Sequence, residues 1–376
     1  MINIRDPIYR IITLEDEFLP LLNHPFMQRL RAIKQNSMLF HVYPSAKHDR
    51  FSHSLGTYYL ALKLSGNGLV DMTADEKRAF KQAALLHDIG HGPYSHSWEK
   101  LVDGFDHEKM SVRIIRDIFG LPEAAKIVGG SHRLSPLLSS VLDVDKLDYM
   151  ARDSYFCGVG YGDTDVDRII EHMFVEDGHV VIDSKVVSSA EHVIMGRISL
   201  FSSTYYHHSV RSMDALLEKI FARARTLYAA GGDLFVGELL KKCFENELET
   251  DDFLAVDDAL IDYHLNKWRY SSDTILGDLV TRFHSRNGFS ALDAKRYGLQ
   301  ADDVLPLPDG YDEQYYFLLD TISKSIYENE LLVKTADGRK VPLSHYSPYV
   351  AKINDVPLQK TFLVGPKEVF TKHKRT

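Results

Sequence analysis

Seven of the chain's 18 histidines, at positions 41, 48, 53, 87, 91, 96 and 107, lie within one 67-residue stretch. In AALLHDIGHGPYSH an apolar helical run ends on His87-Asp88, and the Gly90, Gly92, Pro93 cluster then forces an irregular turn between helices. Neighbouring side chains on a helix diverge by about 100° in projection. They still converge on one ion when the helix stops there and a second element closes over them. His53, in RFSHSLG on the preceding helical stretch, offers a third ligand, and Asp145, in LDVDKLDY, a fourth. Two imidazoles and two carboxylates suit zinc, manganese or iron and tolerate magnesium less well. Four protein ligands leave one or two positions for water and substrate, the mark of a catalytic rather than a structural ion. A lone His-Asp pair is more often an ordinary hydrogen-bonded pair, and spacing alone leaves both readings open.

The rest of the chain is that of an ordinary globular protein. Its 376 residues allow one large domain or two smaller ones. A hydrophobic fraction of 44% with 26% charged residues rules out disorder throughout. The balance of 44 basic against 53 acidic residues, net −9, argues against an extended nucleic-acid groove and leaves room for a local phosphate pocket. Cys157 and Cys243 are too few for a disulfide framework or a thiolate zinc site and fit a reducing cytoplasm. Acids and a proline interrupt MINIRDPIYRIITLEDE, so no signal peptide is expected, and no apolar run reaches the ~18 residues of a membrane span.

The apolar pattern predicts a strand, a turn at Asp6-Pro7 and a second strand, then helical spacing from Leu14 to Gln35 divided by Pro20 and Pro25. Helices are expected over Phe51–Leu64, from the Thr73 cap toward Gly90, and over 107–119 and 133–154. A hairpin through Glu176-Asp177-Gly178 leads into HVVID, and 188–230 reads as one helical run containing only Gly196. Shorter helices at 234–246, 256–268 and 273–285 and strand-like LLVKT and KTFLV follow. A boundary near 231 divides a core of residues 1–230 from a C-terminal α+β region of 231–376.

The series His53, His87-Asp88, Asp145 resembles the H…HD…D signature of HD-domain metal-dependent phosphohydrolases. The words QRLRAIKQ, VYPSAKHDRFSHSLG, LLHDIGHGPYSH, HEKMS and DVDKLDYMARD resemble, more narrowly, the deoxynucleoside triphosphate triphosphohydrolases. The likeness is strong over 1–230 and fainter to about 290, as in ETDDFLAVDDALI. It implies a mainly α fold: an HD-domain helical core with short β-hairpins, and a smaller α+β C-terminal region packed on it and involved in oligomerisation. It implies cleavage at the α-phosphorus to deoxynucleoside and inorganic triphosphate, with a divalent ion (Mn, Fe, Zn or Mg) held by His53, His87, Asp88 and Asp145. His96 then acts as general acid with Glu99 orienting it, while His91 and His107 line the cleft and contact phosphate. Arg50, one helical turn before His53, together with Lys146 and Arg197, matches the triphosphate contacts. Tyr149 matches the residue packed beside the sugar, Asp153 with Gln35 the 3′-hydroxyl site, and Tyr205 an aromatic residue near the base.

The resemblance leaves room for a nucleotide activator, and a homo-oligomer, dimer or tetramer, is expected, in the cytoplasm that the two cysteines fit. Some positions depart from the resemblance. Asn23 stands where a vertebrate relative pairs an aspartate with the guanine edge of its activator, although Gln28 and Arg31 match, so guanine activation is not expected and regulation by another nucleotide stays open. Asn36 replaces an apolar residue beside Gln35, and Phe201 a histidine. Three competing readings are an HD phosphatase or nucleotidase acting on monophosphates or a signalling nucleotide, a nucleotide-sensing scaffold with little turnover, and a nuclease. Three separated cations favour a triphosphate, and the intact ligand set and His96 disfavour a scaffold.

Overall fold

Local signals set most element starts in the computed structural model, which describes residues 1–285, 288–296, 298, 310–325, 327, 330–353 and 358–370. Strands β1 (Ile2–Asp6) and β2 (Arg10–Leu14) pair antiparallel, Ile2 opposite Leu14. Asp6 closes their turn by accepting the Ile8 and Tyr9 amides at 2.8 and 2.9 Å. Short α1 (Pro25–Arg29) leads to α2 (Arg50–Gly66), where Asp49 caps the Ser52 amide. Thr73 and Glu76 form a reciprocal capping box at the start of α3 (Ala74–Leu86), which ends on His87. After the glycine-rich turn come α4 (His96–Leu101) and α5 (His107–Arg113), the latter capped by Asp106. Helix α6 (Val144–Cys157) starts on an Asp143 cap and stops at Gly158, whose φ of 69° satisfies the left-handed C-terminal position.

Strands β3 (Met173–Glu176) and β4 (His179–Asp183) follow, with both turn residues, Asp177 and Gly178, at positive φ, as a two-residue hairpin loop requires. Then come α7 (Val187–Ser199), α8 (His208–Ala229), α9 (Glu238–Glu245), α10 (Asp258–Trp268) and α11 (Thr274–His284). The remaining strands are β5 (Phe289–Asp293), β6 (Leu318–Lys324), β7 (Leu332–Lys334), β8 (Lys340–Pro342) and β9 (Leu358–Pro366). β9 pairs antiparallel with both β5 and β6, and β7 joins the β3–β4 hairpin in parallel, Val181 opposite Leu332. The architecture is a helical HD-like core with a smaller strand-bearing C-terminal part. Among the described residues one main buried apolar cluster includes side chains from Ile12 to Val364, and a small second one joins Leu292, Leu363 and Phe370. Among the described residues no helix is long and apolar enough to cross a membrane.

Three helical expectations need correction. The 188–230 run is broken: α7 passes into a π-helical segment, Leu200–Tyr205, and α8 restarts because His207 is extended and its Nδ1 accepts the Ser209 amide. Over 133–154 the helix proper begins only at Val144, where Asp143 caps it, preceded by a 3-10 turn at Ser135–Leu137. The 107–119 helix changes to π geometry at Ile114–Ile118.

Candidate active site

His53 lies in the first turn of α2, His87 and Asp88 at the C-terminal end of α3, and Asp145 in the first turn of α6. The junction brings all four together. Ligand atoms of His53, His87 and Asp88 lie within 4.8 Å of one another. Asp145 Oδ1 stands 3.0 Å from His53 Nε2 and 3.5 Å from His87 Nε2. The partners of the opposite ring nitrogens decide what faces inward. His53 Nδ1 meets Asp148 at 2.7 Å and His87 Nδ1 meets the Ala84 carbonyl at 2.9 Å, both pure acceptors, so each Nδ1 carries the proton. The two Nε2 lone pairs therefore point at each other across 3.2 Å, flanked by two carboxylates. Only a cation relieves four converging acceptors, so the donor set fits a divalent ion. Without one the pocket favours protons: burial opposes charge on His53, yet its bonds to Asp145 and Asp148 push its pKa up to about 10.

A second layer braces these ligands. Asp148 accepts from Arg152 Nε and Nη2, both at 3.0 Å, and Arg152 Nη1 donates to Asp6 at 2.9 Å. Arg152 and Asp148 are fully buried, a pair whose breaking costs about 3–5 kcal/mol. Gly56 makes room for it, since a Cβ there would stand 1.8 Å from Asp148 Oδ1. The sequence marks Asp6 only as a turn residue, and nothing in it assigns Asp148, Arg152 or Gly56 to the metal site. The i,i+4 spacing of Asp148 and Arg152 was the one available signal.

A second histidine group adjoins the first. His91, His96 and His107 place ligand-type atoms within 4.8 Å of one another. His91 is buried and its Nε2 lies 3.2 Å from Asp88 Oδ1, while its ring stacks on His107 at 3.9 Å. His96 is 69% exposed. Glu99 accepts from His107 Nδ1, and its other oxygen stands 3.7 Å from His96 Nδ1, beyond hydrogen-bond reach. The carboxylate expected to orient His96 thus grips His107 first.

A cleft of about 670 Å³ joins these groups to the remaining expected positions: Gln35, Arg50, Lys146, Tyr149, Asp153, Arg197 and Tyr205 all line it, with Asp88 and Asp145. Arg50 donates to Asp88, and Lys146 Nζ to the buried Asp143 at 2.8 Å, so both cations already hold carboxylates. Arg197 lies 5.6 Å from the Phe201 ring centre. Asp153 is buried and accepts from His48 Nε2 at 2.7 Å, from Asn36 at 2.8 Å and from the Tyr205 hydroxyl. Asn36 is therefore tied to the aspartate. Among the described residues the buried Oε1 of Gln35 has no hydrogen-bond partner. Away from the cleft, Gln28 bonds Arg31 at 2.9 Å and the Leu22 carbonyl at 2.7 Å, Arg31 lies over the Phe51 ring, and Asn23 is exposed.

Comparison with known proteins matches residues 50–153 to the HD domain and residues 164–290 to the HD associated region. The uncharacterized protein YwfO of Bacillus subtilis is 30% identical, over 98% of this chain and 94% of its own length. A Dictyostelium discoideum protein, the deoxynucleoside triphosphate triphosphohydrolase SAMHD1 homolog, is 30% identical over 59% of this chain, which spans 49% of that relative. A phosphohydrolase from Bacteroides thetaiotaomicron superposes with a TM-score of 0.85 at 27% identity, covering 97% of this chain and 99% of that one.

Proposed function

The chain belongs to the HD-domain metal-dependent phosphohydrolase superfamily, and from that premise we propose that it hydrolyses deoxynucleoside triphosphates at the α-phosphorus, releasing deoxynucleoside and inorganic triphosphate. One observation carries the reading. Asp145, Tyr149 and Asp153 recur at i, i+4 and i+8 on α6 and line one cleft with Arg50, Lys146 and Arg197. A nucleotide with its α-phosphate beside Asp145 therefore lays its sugar along Tyr149 and Asp153 and its base toward Tyr205. A divalent ion held by His53, His87, Asp88 and Asp145 supplies Lewis-acid stabilisation of phosphoryl charge and a water of lowered pKa.

The chain's own residues do the rest. Arg50, Lys146 and Arg197 offset the polyanion, His91 and His107 contact its oxygens, and His96 gives the proton that the departing 5′-oxygen needs. Tyr149 fills the space of a 2′-hydroxyl, and Asp153 accepts from the 3′-hydroxyl in exchange for one of its present donors. The name of the Dictyostelium relative supports the same reading.

Excluding a ribose hydroxyl by a ring is worth about 2–3 kcal/mol, roughly 30- to 150-fold in kcat/KM. The test compares dATP with ATP: dATP is preferred by wild type, and Tyr149→Ala loses most of that preference. Equal rates for the two nucleotides in wild type would overturn the deoxynucleotide reading. The ion pairs Arg50–Asp88 and Lys146–Asp143 favour a second reading, a monophosphate-directed HD phosphatase, because they engage two of the three cations with protein carboxylates. Turnover of dAMP in preference to dATP is the result that selects it.

A further inference from the structure

Two consecutive non-glycine residues, Tyr94 and Ser95, both sit at φ +54°, and Ser95 carries ψ −120°. Residues with a Cβ avoid both conformations, so such a turn persists only where its surroundings over-determine it. The restraint comes from α10, in the HD associated region. Asp258 is buried, and its Oδ1 accepts the Tyr94 amide at 2.7 Å. Its Oδ2 accepts from Lys34 twice, from the backbone N–H at 3.2 Å and from the ammonium at 2.9 Å. The Lys34 carbonyl accepts from Ser95 Oγ at 2.6 Å, and that hydroxyl accepts from Arg50 Nε at 2.7 Å. Arg50 in turn donates to Asp88. One carboxylate thereby fastens the turn's amide directly and its hydroxyl through Lys34. The Tyr94 phenol adds a bond to Asp262, one helical turn further along α10. Ser95 immediately precedes α4, whose first residue is His96, so the torsions of the turn set where that imidazole stands.

We infer that Asp258 is a positioning residue for proton transfer: it holds the Tyr94–Ser95 turn at positive φ and so sets His96 against the departing oxygen. The inference rests on the proposed role of His96 as proton donor. It gives the VDDALI segment of the HD associated region a part in chemistry performed by the HD domain.

The experiment exploits two leaving groups, a 5′-alkoxide, which must be protonated, and p-nitrophenolate, which departs without a proton. Asp258→Ala is assayed on dATP and on the p-nitrophenyl ester of thymidine 5′-phosphate, alone and combined with His96→Ala. The expected result is a fall of about 10- to 100-fold in kcat on dATP, with KM and bound metal changed by no more than about 2-fold. The p-nitrophenyl ester is hydrolysed within about 3-fold of the wild-type rate, and adding Asp258→Ala to His96→Ala costs nothing more. Asp258→Asn restores part of the loss, because its amide oxygen still accepts the Tyr94 amide. Equal losses on both substrates, or losses that multiply in the double variant, overturn the inference. Amide hydrogen exchange gives a readout free of catalysis: Asp258→Ala speeds exchange across residues 92–98 while other helices stay protected, and unchanged exchange there overturns the inference. If Asp258→Ala does not fold, Asp258→Ser, too short to span Tyr94 and Lys34, carries the same tests. A wild type that cleaves the p-nitrophenyl ester and no dNTP sinks the substrate reading alone, and the exchange result then decides the role of Asp258.

Discussion

The two histidine groups flanking the His87–His91 turn use the same side chains and differ in what stands behind them. His53 and His87 each have a fixed outer partner, Asp148 and the Ala84 carbonyl, and Asp148 is itself locked by buried Arg152. His96, by contrast, is 69% exposed and has no carboxylate within hydrogen-bond reach in the described structure. Fixed outer partners set tautomer and direction, which a metal ligand needs. A group that must change protonation during turnover is better served by loose contact and access to water. The comparison teaches that histidine type carries little information here, whereas the partner of the second ring nitrogen separates holding from proton transfer.

The largest expected effect lies in the braced group. His87→Ala or Asp145→Ala abolishes turnover and lowers bound metal while circular dichroism keeps the helical signal. Full metal occupancy in both variants contradicts the ligand assignment. At the loosely held His96, His96→Ala keeps its metal and loses at least about two orders of magnitude in rate. Near-normal activity there makes His96 a contact and assigns the proton elsewhere.

The brace itself gives a smaller effect. Gly56→Ala pushes a Cβ into Asp148 and Arg152, and Asp148→Asn removes the charge behind His53. Each weakens metal binding about 10- to 100-fold in a chelator titration, and unchanged affinity in both erases the distinction drawn above. The smallest effect is structural. Thr73→Ala removes one half of the α3 capping box and destabilises the fold by about 1 kcal/mol without altering metal affinity. Its partner Glu76 is held down to about 2 by its hydrogen bonds to Arg133 and Thr73. The Glu76 carboxylate contacts stabilise the fold fully above the ordinary carboxyl range and are lost as pH falls toward 2, so both thermal midpoints fall in acid while a gap between wild type and Thr73→Ala remains, because Thr73 Oγ1 accepts the Glu76 amide at any pH.

What the sequence reveals follows the range of each interaction. Thr73, Asp106 and Asp143 cap helices through bonds three residues away; the starts at α3 and α5 are visible in the sequence, whereas the apolar pattern before Asp143 hides the start of α6, which follows a 3-10 turn at Ser135–Leu137. Four metal-ligand candidates are legible because two are adjacent and the helix stops on them. The brace was not, since Asp6 and Arg152 are 146 residues apart and nothing local marks their meeting. Glu99 shows the limit at short range: i,i+3 spacing suggested His96, and the turn before α5 delivered His107 to it instead. The parallel pairing of Val181 with Leu332 and the His207 cap that splits the 188–230 run likewise depend on distant packing or on a side chain with weak intrinsic preference.

The proposed cleavage at the α-phosphorus is tested most directly by product analysis in heavy-oxygen water. Purified protein with manganese and dATP is incubated in H₂¹⁸O, and its products are separated by anion exchange and read by ³¹P NMR and mass. The account predicts deoxyadenosine and triphosphate in equal amounts, with the heavy oxygen in the triphosphate. Release of dADP with phosphate, or of dAMP with diphosphate, would contradict it.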